Sequence, residues 1–196
     1  VKQFIFMSTA NVYGESAPIG KHKVVTKETP IRLVNAYGDS KFKAESEIME
    51  LSSKEFKTVI LRCPMIYGKG CKGNYQTLSK MARKLPFFPK VKNERSMLYI
   101  GNLVEFLRLM IINDESGLFC PCDKETFCTS ELVRLISAVH GRKIILVPGV
   151  GGGLKLLSYV FPFVNKAFGN FAYDPTLSGY KEEYRRYTLE EGIREA

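Results

Sequence analysis

Apolar and polar positions along the first 68 residues predict two strands with a helix between them. The apolar run at residues 4–7 and the segment "KTVILRC" at residues 57–63 have the length of buried strands. Residues 36–51 combine small residues with strong helix formers, which predicts a helix. Residues 9–29 are interrupted by glycine and proline, which predicts irregular structure. Strand, helix and strand in this order are typical of a parallel sheet with crossover helices.

Shorter elements are predicted beyond residue 68. Glycines at 68, 70 and 73 indicate a loop, and the apolar spacing predicts helices over 75–84, 103–112 and 129–139. The segment "TSEL" could cap the last of these helices. Strands are expected at "SMLYI", "GLFCP" and "KIILV", and a final short helix at "YTLEEGI".

The most apolar stretch, residues 154–168, is interrupted by Lys155, Pro162 and Lys166. It is shorter than the ~20 residues that cross a bilayer. It therefore predicts a core helix or a helix pair and no integral membrane segment, with a peripheral membrane contact as the less favoured alternative. The glycine-rich segment "GVGGG" at 149–153 is predicted to be a flexible connector.

Composition narrows the range of partners. The chain has 29 Lys+Arg against 20 Asp+Glu, a formal net charge of +9, which favours anionic partners. Because the basic residues are scattered, a nucleic-acid partner is not predicted. Five irregularly spaced cysteines, among them Cys120 and Cys122, match neither a disulfide framework nor a zinc site. They indicate reduced thiols, a cytoplasmic location and no metal site.

Candidate chemistry lies in the segment "NAYGDSK". Tyr37 and Lys41 are four residues apart, which places them on one face of the predicted helix. A lysine ammonium near a phenol stabilises the phenolate, and such a tyrosine can exchange a proton with a hydroxyl group. Thr9 follows the first strand, at the sheet edge where parallel sheets bind ligands, and could address the same substrate oxygen. Taken alone, the Tyr/Lys pair also fits a solvated helix face.

Four segments in a fixed order extend this pattern: "STANVYG", "AYGDSK", "LRCPMIYG" and "RSMLYIGNL". With them the chain resembles the extended short-chain dehydrogenase/reductase family, and within it the NAD-dependent epimerases and dehydratases of the UDP-glucose 4-epimerase type. The resemblance implies an α/β fold. Residues 1–68 would form part of a Rossmann-like parallel sheet with the Tyr-x-x-x-Lys helix, and residues 69–196 a smaller C-terminal α/β region that mainly binds the nucleotide sugar.

The resemblance also implies roles for residues at the reacting end of the site. Thr9 matches the residue that hydrogen-bonds the sugar 4-hydroxyl, and Tyr37 matches the general acid/base. Lys41 matches the lysine that holds the nicotinamide ribose of NAD. Cys63 and Pro64 fall beside the nicotinamide, where some members have a tyrosine at the position of Cys63.

Two further residues match the part of the family's site that binds the diphosphate of the nucleotide. These are Asn74, in "GNYQTL", and Arg95, which opens "RSMLY". A guanidinium suits a pyrophosphate because it can donate two parallel hydrogen bonds. Each residue has an alternative explanation: Asn74 as a helix N-cap and Arg95 as a surface arginine.

The chain departs from the family pattern at several positions. Ala10 and Asn11 stand where dehydratases carry Asp-Glu, which disfavours elimination of water. Met65 replaces an asparagine that touches the sugar in many epimerases, so the identity of the sugar is open. The family's glycine-rich NAD-binding turn is not found in the 196 residues, which begin in mid-strand at Val1. The sequence is therefore expected to be cut from a longer protein that supplies the dinucleotide-binding portion.

Together these features predict an NAD-dependent nucleotide-sugar epimerase that oxidises C4 of a UDP-sugar reversibly. One alternative is a nucleotide-sugar reductase or dehydrogenase of the same superfamily. Another, for the isolated chain, is a non-catalytic module that binds UDP-sugars. We expect the 196 residues alone to be inactive, and a homodimer is an expectation from the resemblance.

Overall fold

The computed structural model describes residues 1–160 and 162–196, and it combines strands and helices throughout. The strands are β1 (Gln3–Thr9), β2 (Val24–Val25), β3 (Lys57–Cys63), β4 (Met65–Tyr67), β5 (Phe87–Pro89), β6 (Met97–Tyr99), β7 (Gly117–Phe119), β8 (Ile145–Val147) and β9 (Ala172–Tyr173). The helices are α1 (Ala36–Glu50), α2 (Asn74–Lys84), α3 (Ile100–Ile112), α4 (Thr129–Val139), α5 (Gly151–Val160), α6 (Pro162–Phe168) and α7 (Leu189–Arg194), with a 3-10 helix at Ala10–Tyr13.

The largest sheet is parallel and has the strand order β1-β3-β7. Its middle strand, β3, is buried from Thr58 to Cys63, as predicted for this segment, with Val59, Ile60 and Leu61 as its apolar centre. The prediction that residues 4–7 are buried was wrong in degree. Strand β1 has β3 as its neighbour on one side and lies at the edge among the described strands, so Phe4 remains 43% exposed.

Three parallel strand pairs, β2-β9, β4-β6 and β5-β8, accompany this sheet. Helices α2 and α4 pack against each other, and their buried faces share one apolar core with β4, β5 and β6. The α/β class with parallel strands is thereby confirmed. Strand β5, which is bounded by Pro86 and Pro89, was missed in the sequence because proline disfavours strand interiors.

Most helices lie where the sequence predicts them, but two details differ. Helix α4 has Cys128 as its N-cap and no capping side chain. The Thr129 hydroxyl instead donates to the Ala167 carbonyl, 2.6 Å away, and so ties α4 to α6. The predicted connector at 149–153 was wrong in part, because Gly151 already begins α5.

The apolar stretch 154–168 lies in the helix pair α5 and α6, as predicted, with Phe161 outside the described residues. Over the described ranges, none of the helices combines the length and the apolar character needed to cross a membrane.

Candidate functional site

The carboxyl ends of two adjacent strands, β1 and β3, form the floor of the site. Thr9 ends β1 and is paired in register with Cys63, which ends β3. The Thr9 hydroxyl accepts a hydrogen bond from the Asn11 amide at 3.2 Å, so it caps the 3-10 helix that follows. Pro64 cannot donate a ladder hydrogen bond, and the chain turns there into β4. Two strand ends therefore meet at one edge of the sheet.

Helix α1 brings Tyr37 to this edge. The Asn35 side chain accepts a hydrogen bond from the Gly38 amide at 2.8 Å and fixes the start of the helix. A Cβ atom at Gly38 would lie 3.1 Å from the Asn11 carbonyl oxygen, so the missing side chain lets the helix approach the 3-10 turn closely. Tyr37 is 54% exposed in the first helical turn, where a ligand can reach its phenol.

Lys41 lies one turn further along α1. Its Nζ donates to the Met7 carbonyl at 2.9 Å and stands 4.7 Å from the centre of the Phe6 ring. These contacts hold the ammonium against β1, two residues before Thr9. Lys41 is therefore close to the strand end that carries the site without lining the cavity described next.

One cavity of about 250 Å³ collects most of the predicted residues. Its predicted lining residues are Thr9, Tyr37, Cys63, Pro64, Asn74 and Arg95. Six of the seven candidates are thus brought together, from positions up to 86 residues apart by number in the chain. Met65, which stands where many members of the family carry a sugar-contacting asparagine, also lines this cavity.

A second cavity of about 410 Å³ adjoins the first, because the two share several lining residues. The shared residues are Asn11, Gly14, Ser16, Tyr37, Asn74 and Arg95. Glu15, Asn165 and Lys166 line the second cavity alone. Glu15, Ser16, Asn165 and Lys166 were not predicted from the sequence, since the first two lie in the irregular segment 9–29 and the last two in a stretch assigned to the core. No local pattern around these four residues signals a ligand site.

Arg95 is a partly buried cation with neutral partners. Its Nη1 donates to the Ser16 hydroxyl at 3.2 Å and to the Gly169 carbonyl at 3.1 Å. Within residues 1–160 and 162–196, no ion pair includes it. Burial lowers the pKa of Arg95 to about 10, so the guanidinium is still charged at neutral pH. A cation in this state is suited to an anionic ligand.

Asn74 is the first residue of α2 and lines both cavities. Gly73 is the N-cap of this helix, and no side chain caps it. The N-cap alternative for Asn74 is therefore excluded. The free amide groups and the dipole at the start of α2 favour negative charge close to Asn74.

A buried ion pair lies behind the site. Arg62 donates to the Glu45 carboxylate, with Nη2 2.6 Å from Oε2, and its Nη1 donates to the Tyr13 hydroxyl at 2.8 Å. Ser8 also donates to Glu45. Burial acts to lower the pKa of Arg62, but the hydrogen bonds to Glu45 and Tyr13 raise it above its ordinary value. The pair joins α1, β1, β3 and the 3-10 turn, the four elements that carry the reacting end of the site.

The thiol of Cys63, at the floor of the cavity, has low reactivity. All five cysteines are free thiols, and burial raises the pKa of Cys63 to about 12. Its thiol is therefore protonated at neutral pH and is a poor nucleophile. Cys63 contributes a small neutral surface next to Pro64.

The chain is similar in sequence to a known family of enzymes and to two curated relatives. A family model described as the NAD dependent epimerase/dehydratase family matches residues 1–118. The chain is 33% identical over 141 residues to a UDP-glucose 4-epimerase of Vibrio cholerae, covering 68% of this chain and 42% of that protein. It is 32% identical over 151 residues to the N-acetyl-alpha-D-glucosaminyl-diphospho-ditrans,octacis-undecaprenol 4-epimerase of Escherichia coli O157:H7, with coverages of 74% and 44%. The chain spans less than half the length of these curated relatives.

Solved structures show the same fold at lower identity. The UDP-glucose 4-epimerase of Thermus thermophilus, solved in complex with NAD, superposes with a TM-score of 0.71 at 18% identity. The superposition covers 100% of this chain and 62% of that one. The UDP-glucuronic acid 4-epimerase of Bacillus cereus, also in complex with NAD, gives a TM-score of 0.71 at 16% identity, with coverages of 100% and 60%.

Proposed function

Because the chain belongs to the NAD-dependent epimerase/dehydratase family, we propose that the protein is a nucleotide-sugar 4-epimerase that acts on a UDP-sugar. The observation that carries the proposal is the cavity of about 250 Å³, which brings together the Thr9 hydroxyl, the Tyr37 phenol and the Arg95 guanidinium. Among the described residues, this partly buried guanidinium has no ion-pair partner. The hydroxyl and the phenol suit proton transfer at a sugar hydroxyl, and the guanidinium suits a diphosphate. The similarity to two 4-epimerases supports the same reaction class.

In this proposal Tyr37 exchanges the proton of the sugar 4-hydroxyl. Its phenol opens onto the cavity, and as a phenolate it would accept that proton and later return it. The Thr9 oxygen already accepts a hydrogen bond from the Asn11 amide, so its own proton is left to donate to the sugar oxygen. The two groups would fix C4 from two sides and give the reaction its position on the sugar.

The residues near Tyr37 fit the nicotinamide end of NAD. Cys63 and Pro64 present an uncharged wall without a free amide, which suits a nicotinamide ring. Lys41 uses one of its three donors on the Met7 carbonyl, which leaves two for ribose hydroxyls. When bound, NAD would take a hydride from C4 and give it back.

The far end of the cavity would anchor the substrate while the sugar turns. Inversion at C4 requires that the oxidised sugar present its other face, and the diphosphate must stay in place meanwhile. Arg95 and Asn74 supply a cation and an amide for this purpose. Next to Thr9, the side chains of Ala10 and Asn11 carry no carboxylate that could drive elimination of water, which favours epimerisation over dehydration.

The proposal is tested with the whole protein, UDP-glucose and NAD. Tyr37→Phe should abolish formation of the 4-epimer and leave UDP affinity nearly unchanged, because the phenol acts on the proton and not on the diphosphate. Tyr187→Phe, which removes a hydroxyl away from both site cavities, is the matched control and should stay active. Unchanged turnover in Tyr37→Phe would refute the role.

The same assay separates the alternatives. A reductase or dehydrogenase would convert NADH and NAD into each other in proportion to product. An epimerase returns the hydride within each cycle and would leave the amount of each form unchanged. The 196 residues alone should bind UDP without turnover. If the whole protein likewise binds UDP-sugars and never converts them, it is a binding module.

A further inference from the structure

The strand pair β5-β8 turns apolar side chains towards solvent. In its register Phe87 is paired with Ile145, and Phe88 with Leu146. Because side chains alternate between the two faces of a strand, the two pairs point in opposite directions. Phe88 is buried and its ring lies 5.6 Å from that of Phe168 in α6. Phe87 and Ile145, on the other face, are 56% and 59% exposed.

Cations flank these exposed residues in the chain. We define the apolar–basic patch by its apolar members Leu85, Phe87, Ile145 and Val147 and its basic members Lys84, Lys90, Arg142 and Lys143. All eight side chains are exposed. None of the four basic members takes part in an ion pair within the described part of the chain.

The lack of ion pairs has a cause in the sequence. Residues 56–93 and 132–173, which contain both strands of the pair, hold no aspartate or glutamate, although the chain has 20 acidic residues. The positive charge, which appears scattered when only the cations are counted, is therefore uncompensated within these two stretches. No acidic side chain from either stretch would repel an anionic partner.

We propose that the apolar–basic patch docks on the surface of an anionic lipid bilayer. The hydrocarbon layer of such a bilayer can accept the side chains of Phe87 and Ile145. Its anionic headgroups can bind the cations that flank these residues in the chain. A nucleic acid would use the cations but would leave the protruding aliphatic side chains without a matching surface. The combination of exposed apolar residues with uncompensated cations therefore favours a membrane.

The patch is structurally connected to the candidate site. Phe88, on the inner face of β5, packs on Phe168, and the same helix α6 brings Lys166 to the second cavity. Docking of the patch would hold this cavity near the bilayer. This consequence rests on the proposed function: a sugar diphosphate carried on a membrane lipid would then be within the substrate class of the site.

Co-sedimentation of the whole protein with vesicles tests the docking without using turnover. Vesicles of phosphatidylglycerol and phosphatidylcholine in equal amounts should carry the protein down, and vesicles of phosphatidylcholine alone should not. The double variant Lys84→Glu/Lys143→Glu should bind at least roughly thirtyfold more weakly. Lys27→Glu/Lys54→Glu makes the same change of charge on exposed lysines elsewhere and should bind like the unchanged protein.

A fluorescent reporter tests whether the apolar members enter the lipid. The 196 residues contain no tryptophan, so Phe87→Trp introduces a single one within them, in the patch. Its emission should shift to shorter wavelength with anionic vesicles, whereas Val104→Trp, at a position 58% exposed on α3, should not respond.

Several outcomes would overturn the proposal. These are failure to sediment with anionic vesicles, equal binding of the two double variants, and no response of Phe87→Trp. Binding to a DNA duplex that depends on Lys84 and Lys143, without vesicle binding, would identify a nucleic-acid surface instead. Because UDP-glucose is soluble in water, epimerase activity can fail or succeed independently of all these results.

Discussion

Two arginines of the site region, the buried Arg62 and the partly buried Arg95, have opposite kinds of partner. Behind the site, Arg62 is held by the buried carboxylate of Glu45 and by the Tyr13 hydroxyl. Inside the cavity, Arg95 is held by the Ser16 hydroxyl and a backbone carbonyl. The pKa of Arg62 is raised above its ordinary value despite burial, whereas burial lowers that of Arg95 to about 10.

The difference separates a structural cation from a binding cation. Removal of a charge from water costs several kcal/mol, and a carboxylate partner offsets that cost. Arg62 has this compensation in the folded chain, so it serves to join α1 to the sheet. Arg95 retains part of the cost, and a bound anion would offset it. Binding of a diphosphate would therefore gain from an arginine whose side chain is already in position.

The largest effect is expected from the loss of the compensating carboxylate. Glu45→Ala should lower the free energy of unfolding by about 3–5 kcal/mol, because Arg62 is left buried without its partner. Urea denaturation measures this change. Asp39→Ala, which removes the exposed partner of Lys43 on the same helix, should cost less than about 1 kcal/mol. Similar losses of unfolding free energy in the two variants would show that the buried Glu45–Arg62 pair stabilises α1 no more than an exposed pair does.

Arg95 should show the reverse dependence. Arg95→Met should raise the dissociation constant of UDP by about 100-fold, since each hydrogen bond of a charged group contributes about 1.5–3 kcal/mol. The free energy of unfolding should stay the same or rise, because a desolvated cation is removed. Titration calorimetry with UDP and urea denaturation measure the two quantities. Arg134→Met, at an exposed arginine of α4, is the control and should leave UDP binding unchanged.

A loss of stability in Arg95→Met as large as that in Glu45→Ala would contradict the distinction between the two arginines. So would UDP affinity that is unaffected by the substitution.

The sequence could not predict that Arg62 is a structural cation and Arg95 a binding cation, although it predicted the candidate site residues. Tyr37, Thr9 and Arg95 stand in short segments whose order along the chain carries the family resemblance. The partners of Arg95, by contrast, are Ser16 and Gly169, which lie 79 and 74 residues away in the sequence. No spacing rule connects such positions, so the sequence is equally compatible with a surface arginine.

The predictability of the fold follows the same division. Helix α1 and strand β3 were predicted at nearly their observed bounds because each has a pattern of its own. Strand β5 depends on pairing with β8, and Phe87 meets Ile145 from 58 residues away by number. Pro86 and Pro89 argue against a strand at Phe87 in the sequence. The exposed apolar face of the β5-β8 pair therefore could not be predicted and is seen only in the structure.

A smaller effect is expected from the neutral partner of Arg95. Ser16→Ala removes one acceptor from the guanidinium and should weaken UDP binding by about fivefold, the equivalent of about 1 kcal/mol for one hydrogen bond. Ser16 acts through Arg95 in this interpretation, so the loss should disappear when Arg95→Met is already present. A double-mutant cycle measured by calorimetry tests the dependence. An undiminished loss in the double variant would mean that Ser16 contacts the ligand directly.

The smallest effect is expected at the surface, where two exposed arginines, Arg108 and Arg186, pair with the partly buried carboxylate of Glu105. Hydrogen bonds from Arg108 and Arg186 lower the pKa of Glu105 from its ordinary value of 4.5 to about 2. A carboxyl group whose pKa falls on folding adds stability above its unfolded pKa, and this contribution is lost as the pH falls from about 4.5 towards 2.

The urea midpoint of Glu105→Gln should therefore lie slightly below that of the unchanged protein at neutral pH, and the two should converge as the pH falls through this window. Salt should reduce the difference, because exposed pairs are screened. Asp114→Asn, at an exposed partner of Lys57, provides a comparison between two surface pairs. A gap for Glu105→Gln that widens in acid would mean that the carboxylate is not stabilised by its two arginines, and the division of the chain's arginines into paired, ligand-binding and surface classes would lose its third member.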